Sequence, residues 1–425
     1  SRPLKGKEIN TILWFFTATV LVASLISFGA YLGFGGFEYT NIREISIYIS
    51  HIRFALMIDL AIFHVIYYLF KNIHRQKVWL SGLQFLILVW LLVFLLLLKS
   101  MTGIVILVVV GTVLTIIYIR KLSNFMLKYF LSILLLTGFM VIVFGMSNYY
   151  ARFSFVEPVE IENLTARTMN GNSYSHEIEN IQLENGERVW LYYCEEELIE
   201  AWNIRSEFDF WGKDKKGQDL RITLIRYLSS KGFRKDSLGL VSLGEDDIRN
   251  VENGLANYIY ADKISFYPVF YEVMWQIREY RNGGDPSAHS ITQRFEYFST
   301  GISIVKNHFW FGVGTGDVPG AFEEQYDTDN SQLDKEWRLR GHNQYLTFLI
   351  SFGSFGFILI MFVFLFPVFR EKTWKSYYSG VFLAIIFLSM LNEDTFETSV
   401  GAVFFAYFYA LFLFSKQTVK LNEPE

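Results

Sequence analysis

The sequence predicts an α-helical polytopic membrane protein with at least eight transmembrane helices and one large, water-facing insert of mixed α/β character. Composition and charge distribution carry that prediction. Of the 425 residues, 52% are hydrophobic and 19% charged. The charges are nearly absent from Leu83–Leu98, Ile104–Ile119 and Ile358–Val368, then crowd between about Arg152 and Arg340. Such unevenness excludes a plain soluble globule, a disordered tail, a coiled coil and a collagen-like fibre. A formal net charge of −4 argues against a nucleic-acid binder. Cys194 stands alone, so neither an intrachain disulfide nor a cysteine metal cluster is possible.

A bilayer core of ~30 Å needs about 20 mostly apolar helical residues. Eight stretches meet or approach that length: Ile12–Gly35, Ile52–Phe70, Val78–Leu98, Met101–Ile119, Phe125–Ser147, Gln344–Phe369, Tyr377–Leu391 and Thr398–Phe414. They are apolar all round, which fits helices and not the alternating pattern of membrane strands. The chain opens Ser1-Arg2-Pro3, without Met or a signal-peptide pattern, so it reads as a piece of a longer protein and the span count as a minimum.

Sidedness follows from the cationic loops. Arg2, Lys5 and Lys7, then Lys71, Arg75 and Lys77, Arg120 and Lys121, Arg370, Lys372 and Lys375, and finally Lys416 and Lys420 all fall on one side if the spans alternate. The other side receives Phe37–His51, the turn Lys99-Ser100, the insert 148–343 and the acidic corner Glu393-Asp394. The expected organisation is five spans in 1–147, a periplasmic insert in 148–343, and three spans in 344–425.

Within the insert, Ser173–Cys194 reads as a β-hairpin around Asn185-Gly186, a pair that tolerates positive φ. Glu195–Arg205 and Leu220–Ser230 read as helices. Ser242 with Glu245 forms a capping box that opens a further helix running to Ile259. Asn282–Pro286 is a break. After it, Ser290 with Gln293 caps an interfacial helix over 291–307. Its stripe of Ile291, Phe295, Phe298, Ile302 and Val305 is expected to face the membrane, with Arg294 and Lys306 at the edges.

His342 and Arg294 are the candidates for catalysis. An imidazole titrates near ~6.5 when unperturbed, which suits a general base; the alternative is an interfacial histidine that caps the next span with Asn343. A guanidinium suits a diphosphate, because its fixed fork binds two oxygens and keeps its charge; the alternative is a plain headgroup anchor. Gly312–Gly316 lacks the strand before it and the Lys-Ser/Thr after it that a nucleotide loop needs, and reads as a hinge. Asp327-Thr328-Asp329 reads as a solvated acidic loop rather than a metal motif. Asp59 and His64 are ionisable groups inside a span, where they are expensive. Arg53 stands at the outer end of that span, and Glu393, Asp394 and Glu397 either close a pocket or face water.

Arg294 on a helix, Phe309–Gly316, then Gly341-His342-Asn343-Gln344-Tyr345-Leu346 entering a span broken at Phe352–Gly356, resembles the O-antigen ligase/polymerase superfamily. The match covers roughly Ser290–Phe369. The resemblance implies a GT-C-like bundle in the bacterial inner membrane that acts as an inverting, metal-independent glycosyltransferase without cofactors, its large loop and active site periplasmic. Its donor would be a glycan on undecaprenyl diphosphate. Its acceptor would be lipid A–core for a ligase, with a polymerase or a protein O-oligosaccharyltransferase as alternatives. The family's catalytic His falls on His342 and a diphosphate-binding Arg on Arg294. Where the family often has Ser-Arg-x-Gly, this chain reads Ser100-Met101-Thr102-Gly103, so Arg53 or Lys99 is expected to supply the second cation. Arg338, Arg340, Asn343 and Tyr345 complete the expected substrate contacts. From another class, a polysaccharide transporter relaying protons through Asp59 and His64 would show two similar halves, and a non-catalytic anchor would make His342 and Arg294 dispensable.

Overall fold

The computed structural model describes residues 4, 6–37, 39, 42–74, 77–262, 265–287 and 289–414. Arg2, Lys5, Arg75, Lys416 and Lys420, which enter the sidedness argument, lie outside them. The chain forms two compact units, residues 1–129 with 285–425 and residues 130–284.

The first unit is helical. Its helices are α1 (Gly6–Tyr31), α2 (His51–His74), α3 (Val78–Leu97), α4 (Met101–Lys121) and the start of α5 (Phe125–Ser154). Six helices among the described residues are long and apolar enough to cross a membrane: these five and Gln344–Arg370. Two shorter apolar helices, Tyr377–Ser389 and Ser399–Leu413, follow. α2 is the centre of the bundle. Phe54, Ala55, Leu56, Ile58, Leu60, Ala61, Ile62, Phe63 and Val65 are all at most 3% exposed, as are Asp59 and His64 on the same helix, because neighbours cover it on every side.

The second unit takes most of α5, then a hairpin of β1 (Leu183–Glu184) and β2 (Glu187–Arg188), and the helices α6 (Glu195–Arg205), α7 (Leu220–Ser230), α8 (Ser237–Val241), α9 (Glu245–Glu252) and α10 (Tyr267–Arg281). Leu183 pairs with Arg188 and Glu184 with Glu187, across a turn in which Asn185 and Gly186 both have positive φ, 50° and 91°. This is the turn type whose twist matches paired strands. Regular strand is shorter than the expected hairpin and continues outward only as isolated contacts such as Ser175 with Tyr193. α6 and α7 have the expected bounds. Three glutamates open α6 against the positive end of its dipole, and Asp219 caps α7 by accepting from Ile222 N at 3.2 Å. Trp202, Phe210, Leu224, Tyr227 and Leu228 form their shared core.

Two caps differ from expectation. α9 begins after Gly244, not Ser242, and ends at Glu252. Asp247 takes the Gly244 N–H at 3.0 Å, while the Ser242 hydroxyl turns back to Leu238 O at 2.8 Å, the local bond that draws serine away from capping. The last helices of the first unit are α11 (Ser290–Asn307), α12 (Val318–Thr328), α13 (Gln344–Arg370), α14 (Tyr377–Ser389) and α15 (Ser399–Leu413). In α11, His289 holds the cap position and Ser290 is already helical, while the Gln293 amide goes to Ser287 O.

The expected hinge at Gly312–Gly316 is instead an interlock. Val313 and Gly314 donate to Ile350 O and Ser351 O at 2.8 and 3.0 Å, and Ser354 N returns to Phe309 O at 2.7 Å. These bonds use the backbone groups that α13 frees at Gly353, where φ is 62° and ψ −171°. A Cβ on Gly312 would lie 2.5 Å from Ile350 O, so glycine is what permits this approach.

Candidate functional site

The site is built around the corner between α14 and α15. That corner carries no regular ladder, so its polar groups take partners from elsewhere. Gln344 N donates to Met390 O at 2.9 Å, and the Asn343 amide to Leu391 O at 2.9 Å. Asn392 donates to the Thr102 hydroxyl at 2.9 Å, and the Asp394 carboxylate accepts from Thr347 at 2.7 Å. The Gln344 side-chain oxygen accepts from Phe396 N at 2.7 Å. The starts of α4 and α13 therefore meet the segment that joins α14 to α15 in one place.

Two arginines converge on the same corner. Arg53, from the first turn of α2, donates to a Glu393 carboxylate oxygen at 3.1 Å and to Asp394 O at 3.0 Å. Arg294, from the first turns of α11, donates to the Asn392 side-chain oxygen at 2.7 Å and stands 3.7 Å from the other Glu393 oxygen. Glu393 is buried, and so is Arg53, whereas the Arg294 side chain remains 44% exposed. One carboxylate thus joins a buried guanidinium to an open one.

His342 is positioned from both sides of the same assembly. Its ring lies 5.7 Å from that of Tyr297, one turn along α11 from Arg294. Its neighbour Asn343 caps α13 by accepting from Leu346 N at 3.0 Å. The backbone at His342 has φ 44°, a left-handed conformation that costs a β-carbon residue about 1–3 kcal/mol and is kept where the surroundings over-determine it. Tyr297 in turn donates to Trp337 O at 2.7 Å, and Tyr326 to Leu339 O at 2.8 Å, which pins the segment leading to His342 onto α11 and α12.

The other expected contacts are placed less centrally. Arg340 pairs with Glu397 at 3.0 Å, both half-exposed. Arg338 is drawn the other way, onto Asp327 and Leu333 O. That pair, with the Gln325 amide on Asp329 at 2.7 Å, ties both acids of Asp327-Thr328-Asp329 to side chains of this chain. Tyr345 reaches down to Phe387 O at 2.9 Å. Lys99 is exposed in the turn before α4. In the first turn of α4, Thr102 reaches the corner, through Asn392.

Glu393, which the sequence left as either closing a pocket or facing water, belongs to the corner, and Asn392 is the member that sequence reading missed. A signal for Glu393 was present: an acid at the same expected end of the bundle as two cations. Asn392 carried none. Below the corner an apolar crevice of about 610 Å³ runs between α1, α2 and α15, from Ser399 and Met57 to Ile12 and Phe408. Its upper residues follow directly on Glu397 and lie one turn into α2 from Arg53.

Residues 263–361, which span α10 to α13 and include both Arg294 and His342, match the family model described as O-antigen ligase. This stretch is similar to an O-antigen ligase domain. The resemblance seen in the sequence is thereby supported, and with it a membrane enzyme of the glycan-transferring kind, handling glycan and lipid-linked substrates. Among curated proteins, no sequence matches the chain.

Proposed function

We propose that the chain is an inverting, metal-independent membrane glycosyltransferase that moves a glycan from undecaprenyl diphosphate to an acceptor hydroxyl at the periplasmic face of the bacterial inner membrane. The observation that carries this reading is that Asn343 and Arg294 both bond residues 391–392, while His342, the neighbour of Asn343, sets its ring 5.7 Å from that of Tyr297, one turn along α11 from Arg294. The open donors of Arg294 hold the diphosphate, and the apolar crevice beneath takes the prenyl tail. Arg53, buried against Glu393, acts as a positioning residue, and Lys99 and Arg340, both exposed, are the candidates for the second cation on the diphosphate. Asn343 and Tyr345 hold the start of α13, and Arg338 holds the segment before it.

His342 accepts the proton of the acceptor hydroxyl as its oxygen attacks the anomeric carbon. The bond from that carbon to the diphosphate breaks on the opposite face, and the electron pair leaves on undecaprenyl diphosphate. Cations fixed in a partly dry site act most strongly on that growing charge. Lipid A–core is the acceptor this reading favours, since a large insert suits a bulky acceptor. A second lipid-linked repeat or a protein hydroxyl remain the alternatives. The test is transfer by the purified protein in nanodiscs with defined lipid-linked donor and lipid A–core. General-base help is worth ~10²–10⁴ in rate, so His342→Ala is expected to lose that much; near-normal transfer by this variant removes His342 from the mechanism.

A further inference from the structure

We infer that a cleft wholly within the second unit binds saccharide residues of the glycan on which the enzyme acts. The cleft has a volume of about 540 Å³ and is lined by the end of α5, the hairpin turn, the loop after α7 and two tyrosines. That volume is in the range of small-ligand pockets. Several polar groups of its wall are already engaged within the protein. The Asn185 amide donates to Ser230 O at 2.9 Å and to the Asn257 side-chain oxygen at 3.1 Å. The Ser230 hydroxyl donates to Tyr227 O at 2.7 Å, and Lys231 is paired with Asp247 at 2.6 Å. Phe155, Arg152 and Glu187 are placed to meet a ligand.

Phe155 is 56% exposed, yet its backbone is fixed. Its carbonyl lies against Gly186, where a Cβ would sit 2.6 Å away, and Glu157 N donates to Gly186 O at 3.0 Å. Arg152 is held over the Tyr267 ring, 4.1 Å from its centroid, with one donor on the Tyr258 hydroxyl at 3.4 Å. Glu187 lines the cleft half-buried, and its carboxylate takes no hydrogen bond from the described residues. Burial, then the charge of Glu157, raise its proton affinity, against the pull of Lys235.

A rigid ring face, a guanidinium and a carboxylate short of donors are the complement of a sugar. The C–H face of a pyranose covers the ring. Its hydroxyls donate to Glu187 and accept from Arg152, in charge-assisted bonds stronger than neutral ones. A phosphate headgroup fits less well, because Glu187 and Glu157 repel it. The rigidity of the wall reduces the ordering that binding requires. This inference rests on the proposed handling of glycans, but not on His342.

The test uses the full chain in nanodiscs. The probe is the saccharide released by mild acid from the envelope lipids of cells that make the chain, with phosphatidylglycerol vesicles as the second arm. Saturation-transfer NMR is expected to show saccharide binding, weakened at least tenfold by Phe155→Ala and by Glu187→Gln, with unchanged melting. Absence of binding, or equal binding by both variants, overturns the proposal. So does a loss of vesicle binding in place of saccharide binding. His342→Ala is expected to bind the saccharide normally; if that variant also transfers glycan normally, the catalytic reading fails while the cleft stands.

Discussion

Two buried glutamates, one in each unit, meet arginine in opposite ways. In the second unit Glu184 is fully engaged. One oxygen accepts Arg226 through Nε at 2.7 Å and Nη2 at 2.6 Å, and the other accepts Asn257 at 2.8 Å and Tyr271 at 3.4 Å. In the first unit Glu393 accepts one close bond, from Arg53 at 3.1 Å, while Arg294 stands off at 3.7 Å and is half-exposed. A carboxylate surrounded by donors is a structural clamp. One that leaves its second arginine open to solvent keeps donor capacity for something else. Closure or spareness of the hydrogen-bond set, not burial, separates the two.

The largest effects sharpen that contrast. Glu184→Ala strands the buried Asn257 and leaves the partly exposed Arg226 without its carboxylate, and leaving a buried polar group unsatisfied costs about 1–3 kcal/mol. The expected result is faster hydrogen exchange across 183–258, with transfer per folded molecule unchanged. Glu393→Gln keeps the shape but removes the charge between the arginines, so transfer is expected to fall about tenfold or more with only a small change in melting. If the two variants behave alike in both assays, the contrast is empty.

Arg294→Lys comes next. It keeps the charge and loses the planar fork, so the Michaelis constant for the lipid-linked donor should rise several-fold while melting stays put. Arg53→Lys is the control. Its fork serves Glu393 and Asp394, so it is expected to lower stability first. A donor defect larger for Arg53→Lys than for Arg294→Lys would exchange the roles given to them.

Gly312→Ala tests the interlock with α13. The substitution adds a β-carbon at φ 69° and 2.5 Å from Ile350 O, which costs about 1–3 kcal/mol. A melting temperature lowered by several degrees is expected. An unchanged one restores the hinge reading. The interlock also shows where sequence reasoning stops. Local signals gave α6 and α7 to the residue and placed the turn at Asn185-Gly186, because those features depend on neighbours a few positions away. Ser242 and Ser290 misled because a hydroxyl has several local partners and the pattern does not say which it takes. Gly312 meets α13 forty positions on, and Arg53 meets Glu393 across 340. Neither partner is written near the residue itself. His342 and Arg294 were singled out because motif and topology both pointed to them, and the structure sets the His342 ring against Tyr297, one turn from Arg294 on α11. Asn392, which links Arg294 to Thr102, had no pattern of its own.

The smallest effect concerns acid stability, and it belongs to the closed kind of glutamate. Burial alone would raise the Glu197 pKa, but hydrogen bonds from Ser237, Thr168 and Asn172 outweigh it and bring it down to about 2 from an ordinary 4.5. The folded unit therefore holds fewer protons there than the unfolded chain. The stabilisation is complete above about pH 4.5 and is lost as pH falls toward 2. Glu197→Gln should lower protection of α6 and α8 at pH 7 and flatten its decline between those values. A decline as steep as that of the parent would move the acid sensitivity of the unit to other carboxylates.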